Sequence, residues 1–78
     1  MSKKQDLKNA IDDCEQEIEA LEKKLLRSQT VLMLALLEGT EPDKNEADYF
    51  KLYASLIDKG RERLKKLNEE YINLYGKK

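Results

Sequence analysis

The fold is decided by residues 7–35, which read LKNAIDDCEQEIEALEKKLLRSQTVLMLA. Apolar or small residues recur in this stretch at spacings that alternate between four and three. A second repeat of the same kind runs from residue 50 to residue 74. This spacing is typical of the a and d positions of coiled-coil helices. The positions are Leu7, Ile11, Cys14, Ile18, Leu21, Leu25, Ser28, Leu32 and Ala35 in the first repeat, and Phe50, Tyr53, Ile57, Gly60, Leu64, Leu67, Tyr71 and Leu74 in the second.

A cluster of helix-breaking residues separates the two repeats. It includes Gly39 and Pro42, and the connection it makes is short, so the two helices must be antiparallel neighbours. We predict one domain over residues 1–78, with helix 1 at about residues 3–38, a loop at 39–45 and helix 2 at about 46–75. The fold class is all-α: a two-helix antiparallel coiled-coil hairpin, which forms a four-helix bundle when it dimerises.

The two repeats are mirror images about Pro42, and this symmetry predicts which residues oppose each other. Gly60 is expected to pack against Leu25, and Cys14 against Tyr71. Small residues then alternate with large ones across the interface, which fills it without voids.

Charge is distributed unevenly along the helix flanks. Helix 1 carries six acidic residues and no cation between residues 12 and 22. The predicted register places Glu22 near Arg61 on one flank, but it places Glu17 near the like-charged Glu70 on the other. Like charges side by side are unfavourable. We therefore expect this second flank either to remain solvated or to meet complementary charge on a second chain.

Near the loop the chain is more apolar than a two-helix interface requires. Residues 31–37 read VLMLALL and are apolar on every side, and helix 2 adds a second apolar stripe. Such helices belong in an interior, and if left in water they mark an interface. The occupant can be a second copy of the chain or a different protein. The predicted protein-binding residues are Val31, Met33, Leu34, Leu37, Tyr49, Leu52 and Leu56.

These features predict a protein–protein interaction module, such as an adaptor, an assembly factor or a regulator, that works without a cofactor. The alternative is a small dimeric helical nucleic-acid-binding protein that uses the basic residues 59–66. Glu62 dilutes that basic segment, and the formal net charge of the chain is -1. Both facts weigh against multiple phosphate contacts.

Other function classes lack the residues that they need. The chain has no histidine and one cysteine, so neither a zinc site nor an internal disulfide is expected. Its carboxylates lie along a solvated helix rather than in a cleft, which argues against an enzyme. The longest uncharged run, residues 28–37, is shorter than the roughly 20 residues of a membrane span. With no apolar signal-peptide core at the N-terminus, we expect a cytoplasmic protein.

Overall fold

The computed structural model describes residues 2–76, which form two helices packed against each other. Helix α1 spans Lys3–Leu37 and helix α2 spans Lys44–Tyr75. They run antiparallel and make a rod of 55 × 19 × 18 Å. The predicted all-helical hairpin is therefore confirmed, although α2 begins two residues earlier than the sequence indicated. Within the described residues, no helix is long and apolar enough to cross a membrane.

Local hydrogen bonds explain where α1 begins and ends. The Ser2 hydroxyl accepts the Gln5 backbone N–H at 3.0 Å, as expected of an N-cap. The Gln5 side chain donates to Asn9 at 3.0 Å. At the other end Gly39 has φ +74°, and the Thr40 N–H donates to the carbonyl of Ala35 at 2.9 Å. Glycine adopts this left-handed conformation without strain, so the chain leaves the helix there.

Helix α2 is capped in a similar way. The Asp43 side chain accepts the Asn45 N–H at 2.9 Å and begins the helix. Glu46, three residues later, accepts the hydroxyl of Ser28 on α1 at 3.3 Å. Since Ser28 is buried, this bond satisfies a polar group inside the interface and joins the first turn of α2 to α1.

The core is a single thin layer between the two helices. Within residues 2–76, the buried apolar residues are Ile11, Cys14, Ile18, Ile57 and Tyr71. The accessible surface is 6335 Å², whereas a compact protein of this size exposes about 4,900 Å². One interface therefore leaves a large share of the chain's surface uncovered.

The register of the helices differs from the predicted one. A Cβ atom at Gly60 would lie 2.9 Å from Cγ1 of Ile18, so Gly60 packs against Ile18 rather than Leu25. The Cys14 thiol donates to the Gly60 carbonyl, with a sulfur–oxygen distance of 3.4 Å. Tyr71 lies eleven residues, or about 16 Å, further along α2, so the predicted pair of Cys14 and Tyr71 is wrong. The observed neighbour of Gly60 on α1, Ile18, is seven residues before the predicted one, Leu25.

The heptad repeat cannot distinguish two registers that differ by seven residues. Moving one helix by a heptad keeps every a and d position opposite another, so apolar residues still meet apolar residues. The position of the turn also differs from the predicted one. It is centred between Thr40 and Glu41, not at Pro42, because α1 ends at Leu37 and α2 begins at Lys44.

The end of the hairpin far from the loop reflects the same shift. Leu74 was expected at the interface opposite Ile11, but it is 51% exposed. Tyr71 is buried instead, and its ring centroid lies 5.3 Å from that of Tyr75. The Lys4 ammonium lies 5.5 Å from the centroid of the Tyr75 ring, a cation–π contact between the two helix ends.

Candidate protein-binding face

All seven residues of the predicted binding site are exposed. Their exposed fractions range from 37% for Leu56 to 81% for Leu37. The hairpin interface does not cover them, because they lie outside the a and d positions of both helices. They are Val31, Met33, Leu34, Leu37, Tyr49, Leu52 and Leu56.

Five of these residues lie on one side of the hairpin. On α2 they follow an i, i+3, i+7 spacing that ends at Leu56. Leu56 lines a cleft with Glu17 of α1, so this side of α2 adjoins the Glu17 side of α1. Val31 is fourteen residues, or two heptads, after Glu17 and therefore lies on the same side of α1. We name this surface the shared face; it consists of Val31, Leu34, Tyr49, Leu52 and Leu56.

The other two residues lie on the back of α1, away from α2. Met33 and Leu37 share that side with Leu26, which is 63% exposed. Leu26 was not among the predicted binding residues. The signal was present, because Leu26, Thr30, Met33 and Leu37 are spaced by four, three and four residues. That spacing is a second a/d pattern on the same helix.

Tyr49 gives the shared face a fixed aromatic side chain. Its ring stacks on that of Tyr53, with a centroid distance of 6.1 Å and an interplanar angle of 17°. Tyr53 is an a/d residue and is only partly exposed. A ring held in this way loses little conformational entropy when a partner covers it.

A cleft of about 220 Å³ continues the shared face away from the loop. Gly60 is one of the residues that line it. Its apolar lining includes Ile18, Leu21 and Leu56, and Glu17, Lys59 and Arg63 contribute the charged side chains around it. The predicted contact of Glu17 with the like-charged Glu70 is therefore wrong, because the heptad shift brings Glu17 beside two cations. This flank therefore brings opposite charges, not like charges, to the same cleft.

The opposite flank carries an ion pair that the sequence did predict. Arg61 Nη2 lies 2.7 Å from Glu22 Oε2. Both side chains are about half exposed, and exposed ion pairs contribute roughly 0–1 kcal/mol to stability. The pair links the two helices but cannot hold the hairpin together by itself.

The basic segment at residues 59–66 is partly neutralised by neighbouring carboxylates. Arg61 pairs with Glu22, and Lys66 Nζ lies 3.7 Å from Glu62 Oε1. Phosphate binding requires several free cations on one surface, and these pairs reduce the number available.

A larger open cleft of about 530 Å³ lies at the helix termini, lined by Tyr71, Tyr75 and charged residues of both signs. Among residues 2–76, no group of three or more acidic, cysteine or histidine residues could hold a metal ion. No family model matches the chain, and no curated protein or solved structure is significantly similar to it.

Proposed function

We propose that this chain is a protein–protein interaction module that binds its partner through the shared face. The observation that carries the proposal is the clustering of five exposed apolar side chains on one side of the loop-proximal half. Burying the exposed part of each would contribute about 1 kcal/mol, at roughly 25 cal/mol per Å² of apolar surface. Five such side chains give about 5 kcal/mol, a useful part of the free energy of a micromolar complex.

The shape of the face favours a helical partner. Two parallel strips of side chains, one from each helix, border a shallow groove into which a helix can pack its own apolar residues. The stacked Tyr49 ring and the leucines beside it resemble the composition of interface cores. An adaptor, an assembly factor or a regulator would use such a face.

The alternative, nucleic-acid binding through residues 59–66, has weaker support. Arg61 and Lys66 are engaged by Glu22 and Glu62. Binding to a polyanion would show a steep negative dependence on salt concentration, because bound phosphates release counterions. Binding through the shared face would depend much less on salt, because it buries apolar side chains.

The test is a double substitution, Leu34→Glu with Leu56→Glu, in the full chain. It places two carboxylates in the proposed contact, where burying an unpaired charge is costly. Self-association is measured by sedimentation, and other partners are measured by affinity capture with quantitative mass spectrometry. We expect the double variant to lose both forms of binding.

Ile72→Glu is the matched control. Ile72 is 47% exposed and lies on α2 far from the loop, so the substitution changes charge and hydrophobicity in the same way at a distant position. The control should keep every interaction of the unmodified chain. Equal binding by the double variant and the unmodified chain would place the interface elsewhere.

A further inference from the structure

We infer that the partner covering the shared face is a second copy of this chain, laid on it with both loops at the same end. This inference rests on the proposed function and names its partner. The first argument is area: the hairpin exposes about 1,400 Å² more than a compact protein of its size. A stable complex buries about 800 Å² on each partner. Covering the shared face on this scale therefore removes about half of the excess.

The second argument is the geometry of the face. Rotating a second hairpin by 180° about its long axis turns its shared face toward the first. This rotation lays α1 of each copy along α2 of the other, antiparallel, with every residue at its own height along the rod. The loop-proximal halves of the two copies then lie together in a four-helix bundle, whose neighbouring helices are all antiparallel. Gly60 is level with Ile18, so Leu52 and Leu56 of one copy lie near the heights of Arg27 and Lys24 of the other.

The third argument is charge. Gly60 lies at the height of Ile18, so Glu17 of α1 lies at a height between those of Lys59 and Arg63 on α2. In the same-end dimer, Glu17 of one copy therefore approaches Lys59 and Arg63 of the other, and the two-fold axis repeats this contact. With the loops at opposite ends, α1 lies on the α1 of the other copy and these pairs are lost. Charge complementarity thus selects the orientation.

Two cations on the shared face have to be accommodated. Lys24 lies one heptad before Val31 and Arg27 lies one heptad before Leu34, so both are on the same side of α1. In the dimer their aliphatic stems cover the apolar strip of the other copy, while their charged ends extend to the solvent at the edge.

The first experiment tests the partner. Sedimentation equilibrium of the full chain from 1 to 200 µM should show a dimer, and Leu34→Glu with Leu56→Glu should give a monomer. Ile72→Glu should remain a dimer. A monomeric unmodified chain at 200 µM overturns this inference, and the proposed function survives if the double substitution still abolishes capture of another protein. A dimer that the double substitution leaves intact overturns both.

The second experiment tests the contact of Glu17 with Lys59 and Arg63 by mixing two charge-reversed variants. One variant carries Glu17→Lys, and the other carries both Lys59→Glu and Arg63→Glu. Each variant by itself should form a homodimer about tenfold weaker, because both copies then present like charges. Mixing the two variants should restore dimerisation as a heterodimer, in which both contacts are complementary. Since mixing cannot repair a defect within one hairpin, restoration isolates the contact between chains. Failure of the mixture to recover overturns the arrangement.

The third experiment measures the orientation. A spin label at Thr40→Cys, in a chain carrying Cys14→Ser, reports the distance between the two loops. Loops at the same end should give a label distance below about 25 Å. Loops at opposite ends would be about 36 Å apart, since Thr40 lies about twelve residues of helical rise from the centre of the shared face. The longer distance overturns the same-end dimer.

Discussion

The two halves of the hairpin differ in the side chains that flank the helix–helix interface. In the half far from the loop, the flanks of α1 are acidic, Glu22 pairs with Arg61, and Glu17 lies beside Lys59 and Arg63. In the half near the loop, the flanks are apolar and nothing in the hairpin covers them. The difference is therefore one of side-chain chemistry: opposite charges adjoin across the helices in the far half, and exposed apolar side chains flank the interface in the near half.

The largest expected effect concerns the register in the far half. The Gly60 carbonyl accepts the thiol of Cys14, and in a regular helix it also accepts the Leu64 N–H, so Cys14 lies close to Leu64. Leu64→Cys should form an intrachain disulfide with Cys14 under mild oxidation. Closing a loop of about 50 residues should stabilise the hairpin by about 4 kcal/mol. Non-reducing electrophoresis and urea denaturation measure both effects.

Tyr71→Cys is the control for that disulfide, and the register predicted from sequence symmetry would have favoured it. In the structure Tyr71 lies about 16 Å along α2 from Gly60, beyond the reach of a disulfide from Cys14. An intrachain crosslink in Tyr71→Cys but not in Leu64→Cys would restore the symmetric register and contradict the observed one.

The next prediction compares how a substitution in each half changes the stability of the hairpin. Ile18→Ala removes a buried side chain from the far half and should destabilise the hairpin by about 3 kcal/mol. Met33→Ala, on the exposed back of α1, should change hairpin stability by less than about 0.5 kcal/mol. Urea denaturation followed by circular dichroism measures both, below the concentration at which the chain associates. Similar losses for the two variants would mean that the back of α1 is covered.

Gly60→Ala should have a smaller effect, because two contributions oppose each other. Alanine favours the helix by about 1 kcal/mol relative to glycine. Its Cβ atom would lie 2.9 Å from Ile18 Cγ1, and such overpacking costs about 1–3 kcal/mol. We expect a net loss of about 1 kcal/mol. Combining it with Ile18→Ala, which removes Cγ1, should turn Gly60→Ala into a stabilising change in a double-mutant cycle.

Lys24→Leu tests the near half without removing any contact. If a second copy covers the shared face, leucine at this position joins the apolar strip and should favour dimerisation by about 1 kcal/mol. Stability of the hairpin at concentrations too low for association should stay the same. Unchanged association would place residue 24 outside the contact.

The smallest effect concerns the ion pair of the far half. Glu22→Gln should cost less than about 0.5 kcal/mol, because both partners are about half exposed. The loss should diminish further at high salt. A loss above 2 kcal/mol would show that the pair is buried in solution, for instance by a partner covering this flank.

Much of the local structure followed from particular residues. The four-and-three spacing predicted both helices, Ser2 and Gly39 marked the ends of α1, and Gly60 was expected at a close helix–helix approach. The surplus of apolar residues near the loop was readable as well, because no a or d position accounts for Met33 or Leu52. These features depend on neighbours within a few turns of the same helix. For that reason they could be derived without knowing how the helices meet.

The tertiary structure alone decided which residues oppose each other. A heptad repeat is unchanged by a shift of seven residues, so the sequence pattern could not distinguish Ile18 from Leu25 as the neighbour of Gly60. The earlier start of α2 and the bond from Ser28 to Glu46 accompany the observed register. That register in turn placed Glu17 beside Lys59 and Arg63, and joined the apolar strips of the two helices into one face. The sequence determined that these residues would be exposed, because their helical positions point away from a two-helix interface. Their assembly into a common surface depended on the relative height of the two helices, which no local pattern encodes.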